Sequence, residues 1–123
     1  MSNKNKSIYQ QTGTTDALRD LWVSWSKMGD ILTTLGRIDE ALAYYQKSLE
    51  AAEKIYQQTE TVNDLRSFII VHDNIGDNEH ARGNYGEARI HRLKALELFE
   101  QYVKIDPSVE ELTTYFRNKT EEK

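Results

Sequence analysis

Five residues, Ile8-Tyr9-Gln10-Gln11-Thr12, return unchanged as Ile55-Tyr56-Gln57-Gln58-Thr59, an offset of 47. The offset holds along the chain. Leu18-Arg19 matches Leu65-Arg66, and Gly29-Asp30 matches Gly76-Asp77. Gly36 matches Gly83, Glu40-Ala41 matches Glu87-Ala88, and Leu49-Glu50 matches Leu96-Glu97. A fixed period of this size implies stacked supersecondary units, none of which can bury its apolar face alone.

The spacing inside each period is helical. Ala41, Leu42, Tyr45, Leu49, Ala52 and Tyr56 step by three and four, which places them on one side of a helix. Leu65, Phe68, Ile69, His72 and Ile75 do the same, as do Ala88, Ala95, Leu96, Phe99 and Val103. The first helix is expected from a cap at Thr14, Thr15 or Asp16 to about Leu35, the second from about Asp39 to Thr59. A third follows Thr61–Asn63 and ends near Arg82. A fourth follows Gly83–Gly86, and a fifth begins at Pro107, a residue suited to a first helical turn. No stretch alternates as a strand would. The expected fold is all-α, an α-solenoid of antiparallel helix pairs with about five helices. Its parts are an N-terminal partial repeat or arm (1–14), two helix pairs (15–60 and 61–106) and a C-terminal capping helix with a charged tail (107–123).

Composition narrows the function classes. The chain has no cysteine, so disulfide and thiol chemistry are out. A net charge of −4 argues against nonspecific nucleic-acid binding, which needs a basic face. No apolar run approaches membrane-spanning length, and Met1–Ser7 lacks the apolar core of a secretory signal. A cytoplasmic location is the simplest reading. There is no G-x-S-x-G turn and no glycine-rich phosphate loop, so no catalysis and no cofactor are expected. Asp73, Asp77 and His80 share a helical face, with His72 and His91 nearby, but that spacing is common by chance on a charged helix, and no metal is expected.

The first period reads Trp25-x-x-Met28-Gly29-x-x-Leu32, then Gly36, then Ala41-x-x-x-Tyr45. This resembles the tetratricopeptide repeat, over about residues 15 to 104, with a period longer than the usual length of about 34 residues. The resemblance implies that small residues at Gly29/Ala41 and Gly76/Ala88 let paired helices approach closely. Trp25, Met28, Leu32 and Tyr45 would fill the seam. In the second period Trp25, Leu32 and Tyr45 are replaced by His72, Glu79 and Arg92. Two readings follow: a Glu79–Arg92 ion pair replaces an apolar pair, or both residues lean out to solvent.

The resemblance also implies a ligand face on the first helix of each pair. Its outward positions would be Val23, Ser26, Lys27, Asp30, Thr33 and Thr34, then Ile70, Asp73, Asn74, Asp77, His80 and Ala81. Ser26 and Asp30 stand where a carboxylate clamp would want lysine and asparagine, so a cationic clamp is not expected. The face is mildly acidic, and a basic or neutral peptide is the expected partner, with Asn74 bonding its backbone. The plain alternative is ordinary solvated helix surface. The implied function is noncatalytic protein or peptide binding, as adaptor or scaffold. The alternatives are self-association through the stack ends, where half-units would expose apolar patches, and a regulatory fragment of a larger signalling protein.

Overall fold

The computed structural model describes residues 8–121, with side chains from Thr14 onward. Its helices are α1 (Ile8–Thr34), α2 (Ile38–Thr59), α3 (Val62–Ala81) and α4 (Tyr85–Ile105). A 3-10 segment (Pro107–Leu112) then leads into α5 (Thr113–Thr120). No strand occurs among the described residues. Neighbouring helices pack in chain order, α1 on α2, α2 on α3, α3 on α4 and α4 on α5. The all-α stack of antiparallel pairs is what the periodicity predicts.

Both intra-pair turns have the same construction. Gly36 has φ 79° and Gly83 has φ 83°, values that an L side chain strains to reach. Around each glycine the helix end closes in a Schellman pattern. The Gly36 N–H donates to the Thr33 carbonyl (3.0 Å) and the Arg37 N–H to the Leu32 carbonyl (2.8 Å). In the second pair Gly83 donates to His80 (3.0 Å) and Asn84 to Glu79 (2.8 Å). The link between pairs is different. Glu60 takes the left-handed conformation (φ 51°), and the Thr61 side chain then caps α3 by accepting from the Asp64 N–H.

Helix α1 begins earlier than its expected cap. It runs unbroken from Ile8 through Gly13 and Thr14, the positions that align with the break at Glu60-Thr61. Residues 1–7 of the expected N-terminal partial repeat lie outside the described residues. At the other end, Pro107 opens a 3-10 segment capped by Asp106, and α5 follows it. Phe116 of α5 lies over Phe99 of α4 with ring centroids 4.5 Å apart.

The core runs continuously through both pairs. Leu32, Ala41, Leu42, Tyr45, Ala52, Leu65, Phe68, Ile69, Val71, Ile75, Ala95, Leu98, Phe99 and Tyr102 are buried together, and Trp22, Tyr44, Leu49 and Tyr56 pack against them. Of the residues expected in the first seam, Leu32 and Tyr45 are buried and Trp25 is half-buried. Met28 is not in it: it is 41% exposed, because it sits on the outer side of α1, where no further helix packs among the described residues.

The glycines of the seam are slots. A Cβ built on Gly29 would meet the Tyr45 ring at 2.6 Å. A Cβ on Gly76 would meet the Arg92 stem at 2.8 Å and the Ala88 carbonyl oxygen at 3.4 Å. Ala41 and Ala88 are buried one turn before Tyr45 and Arg92. At the first seam, then, the aromatic ring and not the alanine is the immediate neighbour of the glycine. The Gly29→Ala variant should lose about 1–3 kcal/mol of unfolding free energy, since the buried Tyr45 ring must shift to admit a methyl group. Gly86→Ala, where a Cβ meets nothing within 4 Å, should be neutral or stabilising by at most about 1 kcal/mol. Urea titration of the two variants against the parent measures both.

Candidate functional site

The repeated dipeptides Gly29-Asp30 and Gly76-Asp77 turn out to be working pairs. In the first helix pair Gly29 makes room for Tyr45, and the Tyr45 hydroxyl donates to the Asp30 carboxylate. In the second, Gly76 makes room for the Arg92 stem, and Arg92 Nη2 donates to Asp77 Oδ1 at 3.1 Å. The acceptor is the same in both. The donor changes from a phenol to a guanidinium. Burial, together with the Asp30 hydrogen bond, raises the Tyr45 hydroxyl above its ordinary range, so it stays a protonated donor.

The expected Glu79–Arg92 pair does not form. Both side chains are buried, but they take other partners. Glu79 accepts from Arg82 Nη1 at 2.5 Å and from Asn84 Nδ2 at 3.4 Å. Arg82 also reaches Asp39 at the start of α2 (2.6 Å). Arg92 goes to Asp77 and to the Lys119 carbonyl oxygen (3.4 Å). Glu79 takes the cation three residues on, at the C-cap of α3, in place of the one across the seam. Neither residue leans out to solvent, so the second reading fails as well.

The expected ligand face is divided by these contacts. Ser26 Oγ lies 2.6 Å from the fully buried Ser48 Oγ, which places it in the α1–α2 seam. Lys27 and Asp30 are on the surface, and Asn74 is half-buried. His80 packs edge-on against the Tyr85 ring, centroids 4.9 Å apart. Asp73 and Asp77 are engaged by α5. Lys119 Nζ lies 3.0 Å from Asp73 Oδ1 and 2.8 Å from Asp77 Oδ1, and the Tyr115 hydroxyl donates to Asp73 at 3.1 Å. Burial would lower the Lys119 ammonium, but hydrogen bonds to Asp77, Tyr115 and Asp73 outweigh it and hold the group above its ordinary value. Asp73 is raised, first by burial and then by the neighbouring Asp77 charge. The acidity read from the sequence on this stretch is therefore largely met from within the chain.

A different place on the same two helices is open. Arg19, Trp22 and Val23 of α1, Ala52 and Ile55 of α2, and Asp64 and Ser67 of α3 line a cleft of about 70 Å³. Its floor is apolar. Its polar edge is a bidentate bond in which Arg19 Nη2 meets Asp64 Oδ2 at 2.7 Å and Arg19 Nε meets Oδ1 at 3.3 Å. Thr59 and Thr61 hydroxyls add bonds to Asp64 of 2.6 and 2.7 Å. Burial works against the Asp64 carboxylate, yet Arg19, Thr59 and Thr61 together bring its pKa down to about 2. Val23 and Ile70, 37% and 44% exposed, bring apolar surface to the same stretch of α1 and α3. The outward positions Val23 and Ile70 were legible from the repeat pattern. Arg19, Trp22, Asp64 and Ser67 were not, since their meeting depends on how one pair stacks on the next.

Comparison with known proteins places these features in a class. Helix pairs stacked in chain order, each seam opened by a glycine and closed by a Schellman turn, define a helical repeat protein. The tetratricopeptide repeat model matches residues 23–55, so the first helix pair is similar to that repeat. No characterised protein and no solved structure matches it.

His72, in place of the tryptophan of the first pair, is buried with its Nδ1 3.0 Å from His91 Nδ1. Its ring lies 5.0 Å from that of Phe68. Burial, with the His91 and Lys94 charges, lowers its pKa to about 4. Burial lowers His91 too, against the Glu87 and Glu79 charges. The unfolded chain takes up these protons near pH 6.5, and the folded chain only at lower pH. Stability should therefore fall as pH drops from about 6.5 towards 4, by at most about 1.4 kcal/mol per pH unit for each group. His72→Phe should flatten that stretch of the profile. The Asp64 contribution is held down to the unfolded carboxylate range near pH 3.9 and is lost below it, towards 2. Urea midpoints across pH 4–8 for parent and variant check the sign.

Proposed function

We propose that the chain is a noncatalytic protein- or peptide-binding module, acting as an adaptor or scaffold. Its ligand lies along α1 and α3 and sets an apolar side chain into the cleft beside Val23. The observation that carries this is the cleft itself: an apolar floor made by three helices, edged by a fixed Arg19–Asp64 pair, with Val23 and Ile70 exposed beside it. Recognition sites commonly combine apolar depth with a few fixed polar groups, and the repeat family to which residues 23–55 belong is one of protein-interaction modules.

The ligand chemistry shifts accordingly. With Asp73 and Asp77 paired to Lys119 and Arg92, little uncompensated acidity remains to draw a basic peptide. A neutral segment with a branched aliphatic residue suits the cleft better. No helix among the described residues is long and apolar enough to cross a membrane.

Peptides selected from a random display library on the intact chain should be enriched in Leu, Ile or Val at one position. Val23→Asp and Ile70→Asp should each weaken the selected peptides at least about tenfold, with helicity by circular dichroism unchanged. Asp30→Ala should leave affinity within about twofold. Enrichment of lysine or arginine instead, with loss of binding on Asp30→Ala, would return the site to the acidic positions.

A further inference from the structure

The outer side of α1 carries Ala17, Leu21, Ser24, Met28, Ile31 and Leu35, a run spaced four, three, four, three, four. All six are exposed. Leu21 is 44% exposed, Ile31 54% and Leu35 63%. The internal repeat supplies a control for this face. The same positions of α3, 47 residues on, are Asp64, Phe68, Val71, Ile75, Asn78 and Arg82. The first five of these are buried. They are covered by α2, which runs antiparallel over them: Thr59 bonds Asp64, Tyr56 meets Phe68 and Asp39 pairs with Arg82. One face is thus built twice and covered once among the described residues. The uncovered version has the larger share of exposed apolar side chains.

We propose that a second copy of this chain covers this face, its α1 lying antiparallel to the first about a two-fold axis. Three features of the surface favour that occupant. A four-three spacing is the seam of a helix pair, and an antiparallel pair of one helix is self-complementary, as an isologous contact requires. The sizes also complement each other. With the axis between Trp22 and Val23, Leu21 faces Ser24 of the second copy and Met28 faces its Ala17, so these two large residues each meet a small one. Finally, the charges beside the seam match. Asp20 and Lys27 are both exposed and lie on the same edge of the stripe, one residue before Leu21 and Met28. In this register each Asp20 meets Lys27 of the second copy, twice about the axis. Sliding the pair one heptad brings Lys27 against its own twin and forfeits both attractions, so charge selects the first register.

This surface is separate from the cleft at Val23, and the two can fail independently. Light scattering or sedimentation equilibrium from about 1 μM to about 500 μM should show a mass rising from one chain (14.3 kDa) towards two. Leu21→Glu or Met28→Glu should raise the dimer dissociation constant at least about tenfold. Ser24→Glu provides the same disruption at a position already polar, should either variant lose helicity. Asp20→Lys and Lys27→Asp should each weaken the dimer about three- to tenfold, and the double reversal D20K/K27D should return it to within about twofold of the parent. Val23→Asp should leave the mass curve unchanged. A single chain at the highest concentration overturns the proposal. So does a dimer indifferent to Met28→Glu, or a double reversal weaker than both single ones.

Discussion

The approach of paired helices at Gly29 and Gly76 governs this molecule. A glycine on the first helix of each pair leaves a slot, and one large side chain from the second helix must fill it. The aspartate that follows the glycine then receives the polar end of that side chain. Tyr45 fills the first slot and ends in a hydroxyl, so one carboxylate satisfies it. Arg92 fills the second slot and carries a buried full charge. A buried guanidinium requires compensation, and Asp77 supplies part of it. Asp77 in turn draws in Lys119, which also holds Asp73. One exchange in the slot, phenol for guanidinium, thus accounts for the charged network that ties α5 to the second pair.

What could be read from the sequence was what depends on local period. Helices, turns and the pairing of α1 with α2 and α3 with α4 follow from apolar spacing and from the two glycines at φ near 80°. The seam residues Leu32, Ala41, Tyr45 and Ala88 follow from the same register. Partners of charged residues did not, because side-chain reach and the placement of a later helix decide them. Position across the seam left Glu79 either paired with Arg92 or turned to solvent, whereas Arg82 at the C-cap of α3 takes Glu79 and Lys119 arrives with α5. Met28 misled for a simpler reason. Its place in the repeat is a core place only when another helix lies outside it.

The start of α1 shows how local and repeat signals diverge. Gly13-Thr14 occupies the register of Glu60-Thr61, where the chain breaks and restarts. Glycine would enter the left-handed conformation of Glu60 with less strain, and threonine would cap as Thr61 does. The helix nevertheless continues through both residues. At Thr61 the break is fixed by tertiary bonds: Asp64 gathers Thr59, Thr61 and Arg19. The residue aligned with Asp64 is Ala17, which can gather nothing. A break that the repeat encodes in its turn residues is realised only where a buried carboxylate holds it.

The same substitution of alanine for aspartate bears on how the two ends of the stack differ. At the C-terminal end, Phe116 on Phe99 gives α5 an apolar hold, and Lys119 with Tyr115 gives it a polar one. A short helix can close that end because the last full pair offers it two carboxylates. At the N-terminal end the run from Ala17 to Leu35 offers no charge within the stripe, only aliphatic and small side chains with Asp20 and Lys27 beside it. The asymmetry is a matter of chemistry as well as of length. A face without hydrogen-bonding groups selects its cover by shape and flanking charge, whereas a face with two buried-edge carboxylates selects a lysine. Among the described residues, the outer carboxylates of α3 find their counterpart in α5, and the outer stripe of α1 differs from them in chemistry.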